Sequence, residues 1–311
     1  MLGWMTRLAL TDGGIETSLI FKEGFELPCF AAFPLIATDA GRAGLRRYFG
    51  HFLDLADDAG LPFVLDTATW RANPDWGEHL GYSREELARF NVDAVRFATE
   101  LAEGHRDVTI SGLLGPRGDG YVVDASMSEA EAQAYHGWQI ELLGEAGVAR
   151  ITALTLTYPE EAIGIVRAAG AAGVPVVASF TVETDGRLPN GEGLRDAIAR
   201  VDQRTDAQAA FFMVNCAHPS HFAQVFADGG SWLERIGGLR ANASALSHAE
   251  LDESDELDEG DPGELAGEHR LLRDALPALE LLGGCCGTDH RHVQAIAEVW
   301  TTDANGPSGV R

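Results

Sequence analysis

Eight times in succession along the chain, a short apolar run rich in β-branched residues is followed by a longer amphipathic segment. The strand candidates are Leu8 to Thr11, Phe63 to Ala68, Val108 to Leu113, Arg150 to Leu156, Val174 to Phe180, Ala210 to Asn215, Ile236 to Ala241 and Leu279 to Leu282. A helical candidate follows each, at roughly 38–59, 83–104, 128–147, 160–172, 192–203, 219–227, 263–275 and 288–300. Strands alternating with helices are the pattern of a parallel sheet built from βα units, since a parallel neighbour is reached by a crossover connection. Eight such pairs in series predict an α/β fold, a single (β/α)8 TIM barrel. The rival open, doubly wound sheet wants a glycine fingerprint after the first strand, and Thr11-Asp12-Gly13-Gly14-Ile15-Glu16 does not supply it. Ser83 ahead of Arg84-Glu85-Glu86, and Ser128 three residues before Glu131, mark two helix starts as capping boxes. The 311 residues fit one barrel over 1–304, with Asn305-Gly306-Pro307-Ser308-Gly309 opening a flexible tail over 305–311.

Charge narrows the partners. The formal net charge is −25, a field that repels phosphate backbones and anionic lipid surfaces, so neither nucleic acid nor membrane is expected as a partner. No apolar run reaches the length of a membrane span and the first residues lack a secretory signal, so the expected location is cytoplasmic. There, Cys29, Cys216, Cys285 and Cys286 are expected as ligands, nucleophiles or packed thiols rather than disulfides. Lys22 is the only lysine among 23 basic residues, and it lies in the first loop, a poor place for a Schiff base. Nine acidic residues between Glu250 and Glu264 read as a solvated loop or short helix; the spacing of an EF-hand is absent.

Active sites of such barrels sit at the carboxyl ends of the strands. Three of the four cysteines fall at two of these exits: Cys216 after the sixth strand, Cys285 and Cys286 after the eighth. Alternate strands feed one interior layer, so these thiols can converge. Three thiolates with one open position match a catalytic zinc site; buried inert thiols and a redox or nucleophilic pair are the other readings. Gly283, Gly284 and Gly287 would let adjacent residues both turn inward. His218, His221, His290 and His292 open helices and read as capping or surface residues.

Asp12-Gly13-Gly14, Ser179-Phe180-Thr181 followed by Asp185-Gly186-Arg187, Val214-Asn215-Cys216 and above all Gly283-Gly284-Cys285-Cys286-Gly287-Thr288 together resemble the homocysteine S-methyltransferase family, from about Leu10 to Val299. The resemblance implies Zn2+ held by Cys216, Cys285 and Cys286, with the substrate sulfur as exchangeable fourth ligand. It implies a methyltransferase that makes methionine from homocysteine and a small onium donor: S-methylmethionine, S-adenosylmethionine or betaine. Trp70 and Trp76 are candidate faces for the donor cation. Candidates for the amino-acid part of homocysteine are Asp12 with the Gly13 and Gly14 amides, Thr67, Thr69, Thr155, Thr157, Ser179, Asn215 and Asn242. Asp12 as a turn cap and Asn215 as a bond between strands are the alternatives. Two departures stand out. Ile15-Glu16-Thr17 replaces the usual run after the first glycines, and Thr155 and Thr157 stand where many members carry a glutamate for the substrate ammonium. Glu183 is a candidate for that missing carboxylate. The same departures admit another small thiol or a selenol as acceptor, and a zinc lyase or hydrolase is the second enzyme class.

Overall fold

Eight parallel strands close into a barrel in chain order, β1 to β8, with β1 paired to β8. The computed structural model describes residues 8–123, 126–254 and 256–302. The strands are β1 (Ala9–Leu10), β2 (Phe63–Asp66), β3 (Val108–Leu114), β4 (Arg150–Leu156), β5 (Val176–Phe180), β6 (Phe212–Asn215), β7 (Ile236–Ala241) and β8 (Leu281–Gly284). The helices are α1 (Ile15–Phe21), α2 (Asp39–Ala59), α3 (Pro74–His79), α4 (Arg84–Ala102), α5 (Glu129–Glu145), α6 (Pro159–Ala172), α7 (Leu194–Thr205), α8 (Pro219–Ala227), α9 (His248–Asp252), α10 (Pro262–Leu272) and α11 (His290–Thr302). The tail expected at 305–311 lies outside the described residues. Among the described residues, no helix is long and apolar enough to cross a membrane.

Both expected capping boxes form: the Ser83 and Ser128 hydroxyls accept from the Glu86 and Glu131 amides, and each glutamate reaches back to the cap amide. A third, Ser247 with Glu250, starts the short helix α9 inside the acidic stretch.

The interior of the barrel follows from the two-residue period of a strand. Ala9, Val64, Val177, Met213 and Leu281 meet in one apolar layer. Gly238 belongs to that level because a Cβ there would stand 2.8 Å from the Met213 side chain. Two residues further along the same strands come Thr11, Asp66, Ser179, Asn215, Gly283 and Arg240, all polar or glycine. The apolar layer closes the barrel floor. The polar layer above it is where the chemistry gathers.

Candidate active site

Alternation turns Asn215 inward, so the next residue would point toward the helices. Cys216 breaks the pattern with a φ of 55°, a left-handed backbone that side chains with a Cβ resist. Its sulfur therefore comes back to the barrel mouth. The strained turn is held from three sides: the Cys216 amide donates to the Arg240 carbonyl at 3.1 Å, and its own carbonyl meets His248 Nε2 at 2.7 Å and the Thr181 hydroxyl at 3.3 Å.

Cys285 and Cys286 arrive from the end of β8. Gly283 and Gly284 are there for close approach and not for unusual dihedrals, contrary to the sequence expectation. A Cβ on Gly284 would lie 1.9 Å from the Thr288 hydroxyl, and one on Gly283 would lie 2.7 Å from the Asp12 carbonyl. Gly287 does need its freedom, with a φ of 78°. Thr288 locks the turn by donating to the Cys285 carbonyl at 2.7 Å.

The Sγ atoms of Cys216, Cys285 and Cys286 all lie within 4.8 Å of one another, and among the described residues no other group of three His, Cys, Asp or Glu offers this. The Cys216 and Cys286 sulfurs are 3.6 Å apart. Hydrogen bonds from the Cys216 and Cys286 thiols, helped by the nearby Arg240 charge, hold Cys285 well below the ordinary thiol range; the other two are pushed up. One thiolate is thus stable by itself, and holding three negative sulfurs together calls for a divalent cation. Two polar groups aim at the sulfurs as a metal site requires: the Tyr121 hydroxyl stands 3.1 Å from Cys216 Sγ and 3.7 Å from Cys286 Sγ, and Asn215 Nδ2 is 3.9 Å from Cys285 Sγ. The donor set fits a soft or borderline metal ion.

Asn215 also binds the strands. Its Oδ1 accepts from the Thr155 amide at 2.8 Å and from the Ser179 hydroxyl at 2.6 Å, and its Nδ2 donates to Thr155 Oγ1 at 2.9 Å. Thr155 needs the clamp. It sits at a register shift in β4 with a φ of 63°, a rare conformation for a β-branched residue.

Beside the cysteines lies a buried ion triad. Arg240 donates to Asp12 at 2.5 Å and to Asp66 at 2.7 Å, while Tyr48 donates to the other oxygen of Asp12 at 3.0 Å. Burial outweighs the Arg240 charge and pushes Asp12 up to about 6. Asp12 therefore anchors an arginine at the pocket wall instead of capping a turn. The signal for this triad was legible: a single arginine in the otherwise apolar run Ile236 to Ala241, and an aspartate ending β2.

These groups open into a cavity of about 490 Å³ lined by Asp12, Gly13, Gly14, Thr67, Trp70, Thr155 and the three cysteines, together with Glu16, Arg71 and Tyr121. Thr69, Thr157, Ser179, Glu183, Asn215 and Asn242 do not line it. Thr69 bonds the Leu113 carbonyl and Thr67, bracing β2 against β3. Glu183 Oε1 stands 3.1 Å from His248 Nδ1, on the far side of the ring whose Nε2 meets the Cys216 carbonyl. The Arg71 guanidinium lies 4.1 Å from the Trp70 ring and 3.9 Å from the Trp76 ring, taking one face of each, and both rings also line the cavity. Glu16 faces the cavity from the first turn of α1, where burial, the Cys285 sulfur and Asp12 push its carboxyl up to about 8.

The acidic stretch is more than a solvated loop. Leu251, Ser254, Leu257 and Asp258 line the cavity, and Glu259 ties the loop to Lys22 and Arg291. Lys22 itself is paired with Asp289 at 2.6 Å, outside the pocket, which removes it as a Schiff-base candidate. His218 does cap α8, as expected, whereas His221 and His292 are buried and not on the surface.

Tyr121 and His248 escaped the sequence reading. Their rings stack 4.2 Å apart over Cys216, and nothing in the surrounding loop residues singles them out.

The family model described as homocysteine S-methyltransferase matches residues 9–300. Among solved structures, the metallated homocysteine methyltransferase MmuM from Escherichia coli superposes with a TM-score of 0.72 at 20% identity, over 95% of this chain and 97% of that one. The apo form of the same protein gives 0.66 at 19% identity, over 96% and 98%. GH5_18 from Streptomyces cattleya, in complex with GlcNAc, gives 0.51 at 10% identity over 98% and 82%. At such identities these likenesses speak to the fold. No curated protein matches the sequence. With the family's motifs spread over nearly the whole barrel and its cysteines gathered at one mouth, the chain belongs to the homocysteine S-methyltransferase family.

Proposed function

We propose that this protein is a cytoplasmic zinc-dependent S-methyltransferase that moves a methyl group from a small onium donor to homocysteine, giving methionine. One observation carries the reading: three cysteine sulfurs from β6 and β8 converge within 4.8 Å at the wall of a cavity that all three line. Cys216, Cys285 and Cys286 would hold the zinc ion. Bound there, zinc supplies the Lewis acidity that keeps a substrate thiol deprotonated at neutral pH, the form in which sulfur is a nucleophile.

The chain's own residues do the rest. The Asn215 amide and the Tyr121 hydroxyl point N–H and O–H dipoles at the sulfurs, lowering the cost of gathering negative charge. Arg240, fixed by Asp12 and Asp66, adds a positive charge behind Cys285. His248 and Glu183 hold the Cys216 carbonyl and with it the angle of the sulfur. A cavity of about 490 Å³ is in the range of a ligand pocket, and placing acceptor and donor in line within it is the main catalytic task left. All four cysteines are free, which suits a reducing compartment.

The test is formation of methionine by the zinc-loaded protein, read by mass spectrometry with S-methylmethionine, S-adenosylmethionine and betaine in parallel. Methionine from one donor, with zinc and activity both lost in Cys285→Ser while the barrel stays folded, is the expected result. A Cys285→Ser protein that keeps zinc and full activity would overturn the assignment.

A further inference from the structure

The cavity's carboxylates are mostly committed to the protein itself. Asp12 and Asp66 hold Arg240. Asp119 accepts from the amides of Tyr121 and Val122, at 2.7 and 3.2 Å. Asp258 accepts from the Ser244 hydroxyl and the Gly260 amide, and Glu256 stands exposed at the mouth.

Two ionisable groups, one basic and one acidic, remain. The Arg71 side chain is 93% buried, since 7% of it is exposed, and its flat faces are covered by Trp70 and Trp76. Stacking leaves the in-plane N–H edge as the part of a guanidinium that can meet a ligand. Of that edge, Nη1 donates to the Gly118 carbonyl at 2.8 Å, Nη2 stands 3.9 Å from Asp119, and Nε is buried without a partner. Glu16 faces the same cavity, near enough to Cys285 and to Arg71 for each charge to be felt. Among the described residues, Glu16 and Arg71 form no ion pair with each other. Burying a guanidinium and a carboxyl in one low-dielectric pocket without pairing them is costly, and a ligand that carries both complementary charges relieves the cost.

We propose that Glu16 and Arg71 form a head-group site for an α-amino acid, Glu16 taking the ammonium and Arg71 the carboxylate, with the ligand's sulfur directed to the three cysteines. The inference deepens the methyl-transfer reading and rests on it. Its chemistry admits the acceptor homocysteine or a donor of the S-methylmethionine type. It does not admit betaine as occupant, because a quaternary ammonium has no N–H for Glu16. The indole pair, expected from sequence to receive an onium cation, also holds the Arg71 guanidinium between its rings and so stiffens the anion site.

The test deletes charges on the ligand first, so that no variant need fold. The zinc-loaded protein is titrated calorimetrically, without donor, with L-homocysteine, 4-mercaptobutanoate, which lacks the ammonium, and 3-mercaptopropylamine, which lacks the carboxylate. Each deletion is expected to weaken binding by about ten- to a hundredfold, the range of a charge-assisted hydrogen bond. Glu16→Gln should weaken homocysteine but not 4-mercaptobutanoate, and Arg71→Gln should weaken homocysteine but not 3-mercaptopropylamine. If homocysteine binding ignores both substitutions while the KM for S-methylmethionine rises and kcat holds, the head group is the donor's. Equal binding of all three thiols, with neither variant altering either substrate, overturns the inference alone. A protein that binds none of the three thiols and turns over no donor refutes the methyl-transfer reading and the inference with it.

Discussion

Replacing Asn215 by alanine and by aspartate separates its two tasks. In Asn215→Ala the Thr155 amide and the Ser179 hydroxyl, both buried, lose their acceptor. An orphaned buried donor costs about 1–3 kcal/mol. The Ser179 hydroxyl can rotate elsewhere, but the Thr155 amide is fixed in a left-handed turn, so a loss of about 2–4 kcal/mol is expected. Asn215→Asp keeps both acceptances and should retain most of that stability. It removes the N–H aimed at Cys285, however, and places a carboxylate where the amide stood, 3.9 Å from the sulfur. Two like charges at that distance repel by about 4 kcal/mol at an effective dielectric of about 20, part of which protonation of the aspartate relieves. Metal affinity should therefore fall by about ten- to a hundredfold, the usual cost of removing an outer partner of a ligand. Urea unfolding reads the first quantity and competition for zinc with a chromophoric chelator reads the second. An Asn215→Asp protein that binds zinc as the wild type does would refute the role given to the amide, and an Asn215→Ala protein of unchanged stability would refute the clamp.

Three further outcomes are expected. Arg240→Met leaves Asp12 and Asp66 buried without their cation and should destabilise by about 3–5 kcal/mol in urea; adding Asp66→Asn should recover part of the loss, and a cost below about 1 kcal/mol would contradict the triad. Gly284→Ala drives a Cβ into Thr288, which holds the Cys285 carbonyl, so zinc bound per chain, read by atomic emission, should drop even where circular dichroism shows an intact barrel. His269 is fully buried with neither ring nitrogen bonded, and burial pulls it down to about 3. Because the folded value lies below the unfolded one of about 6.5, the unfolded chain takes up the proton first, and stability is complete above about pH 6.5 and lost as pH falls. Between about pH 7.5 and about pH 5 this one group removes about 2 kcal/mol. His269→Leu should flatten the fall in urea midpoint by that amount, and an unchanged slope would show that the ring does not stay neutral.

The barrel was legible because its signal is repeated: eight apolar runs, each bounded by a helix start whose capping chemistry, as at Ser83 and Ser128, does not depend on distant residues. Strand ends were less so. β1 is only Ala9–Leu10 and β2 stops at Asp66, since Thr11 to Gly14 and Thr67 to Trp70 leave the ladder to build the mouth. The cysteines were legible from their placement at two exits. What was not legible is what depends on neighbours across the barrel. The aromatic faces of Trp70 and Trp76 were there to be read, but that the protein's own Arg71 takes one face of each depends on how the segment after β2 and α3 lie together. Tyr121 comes from the loop after β3 and His248 from the first turn of α9, and only their stacking over Cys216 gives them a role. Asn215 looked like a substrate contact or a structural bond; its three short hydrogen bonds join β4, β5 and β6, and its remaining N–H reaches toward the cysteine sulfur.

The central claim is that Cys216, Cys285 and Cys286 hold a metal ion that binds and ionises a substrate thiol. Calorimetric titration of the zinc-loaded protein with L-homocysteine, repeated near pH 7 in buffers of different ionisation enthalpy, counts the protons released on binding. The account predicts close to one proton per thiol bound, and no binding of that kind once zinc is removed by a chelator. Homocysteine that binds equally well with and without zinc, or that binds without releasing a proton, would contradict it.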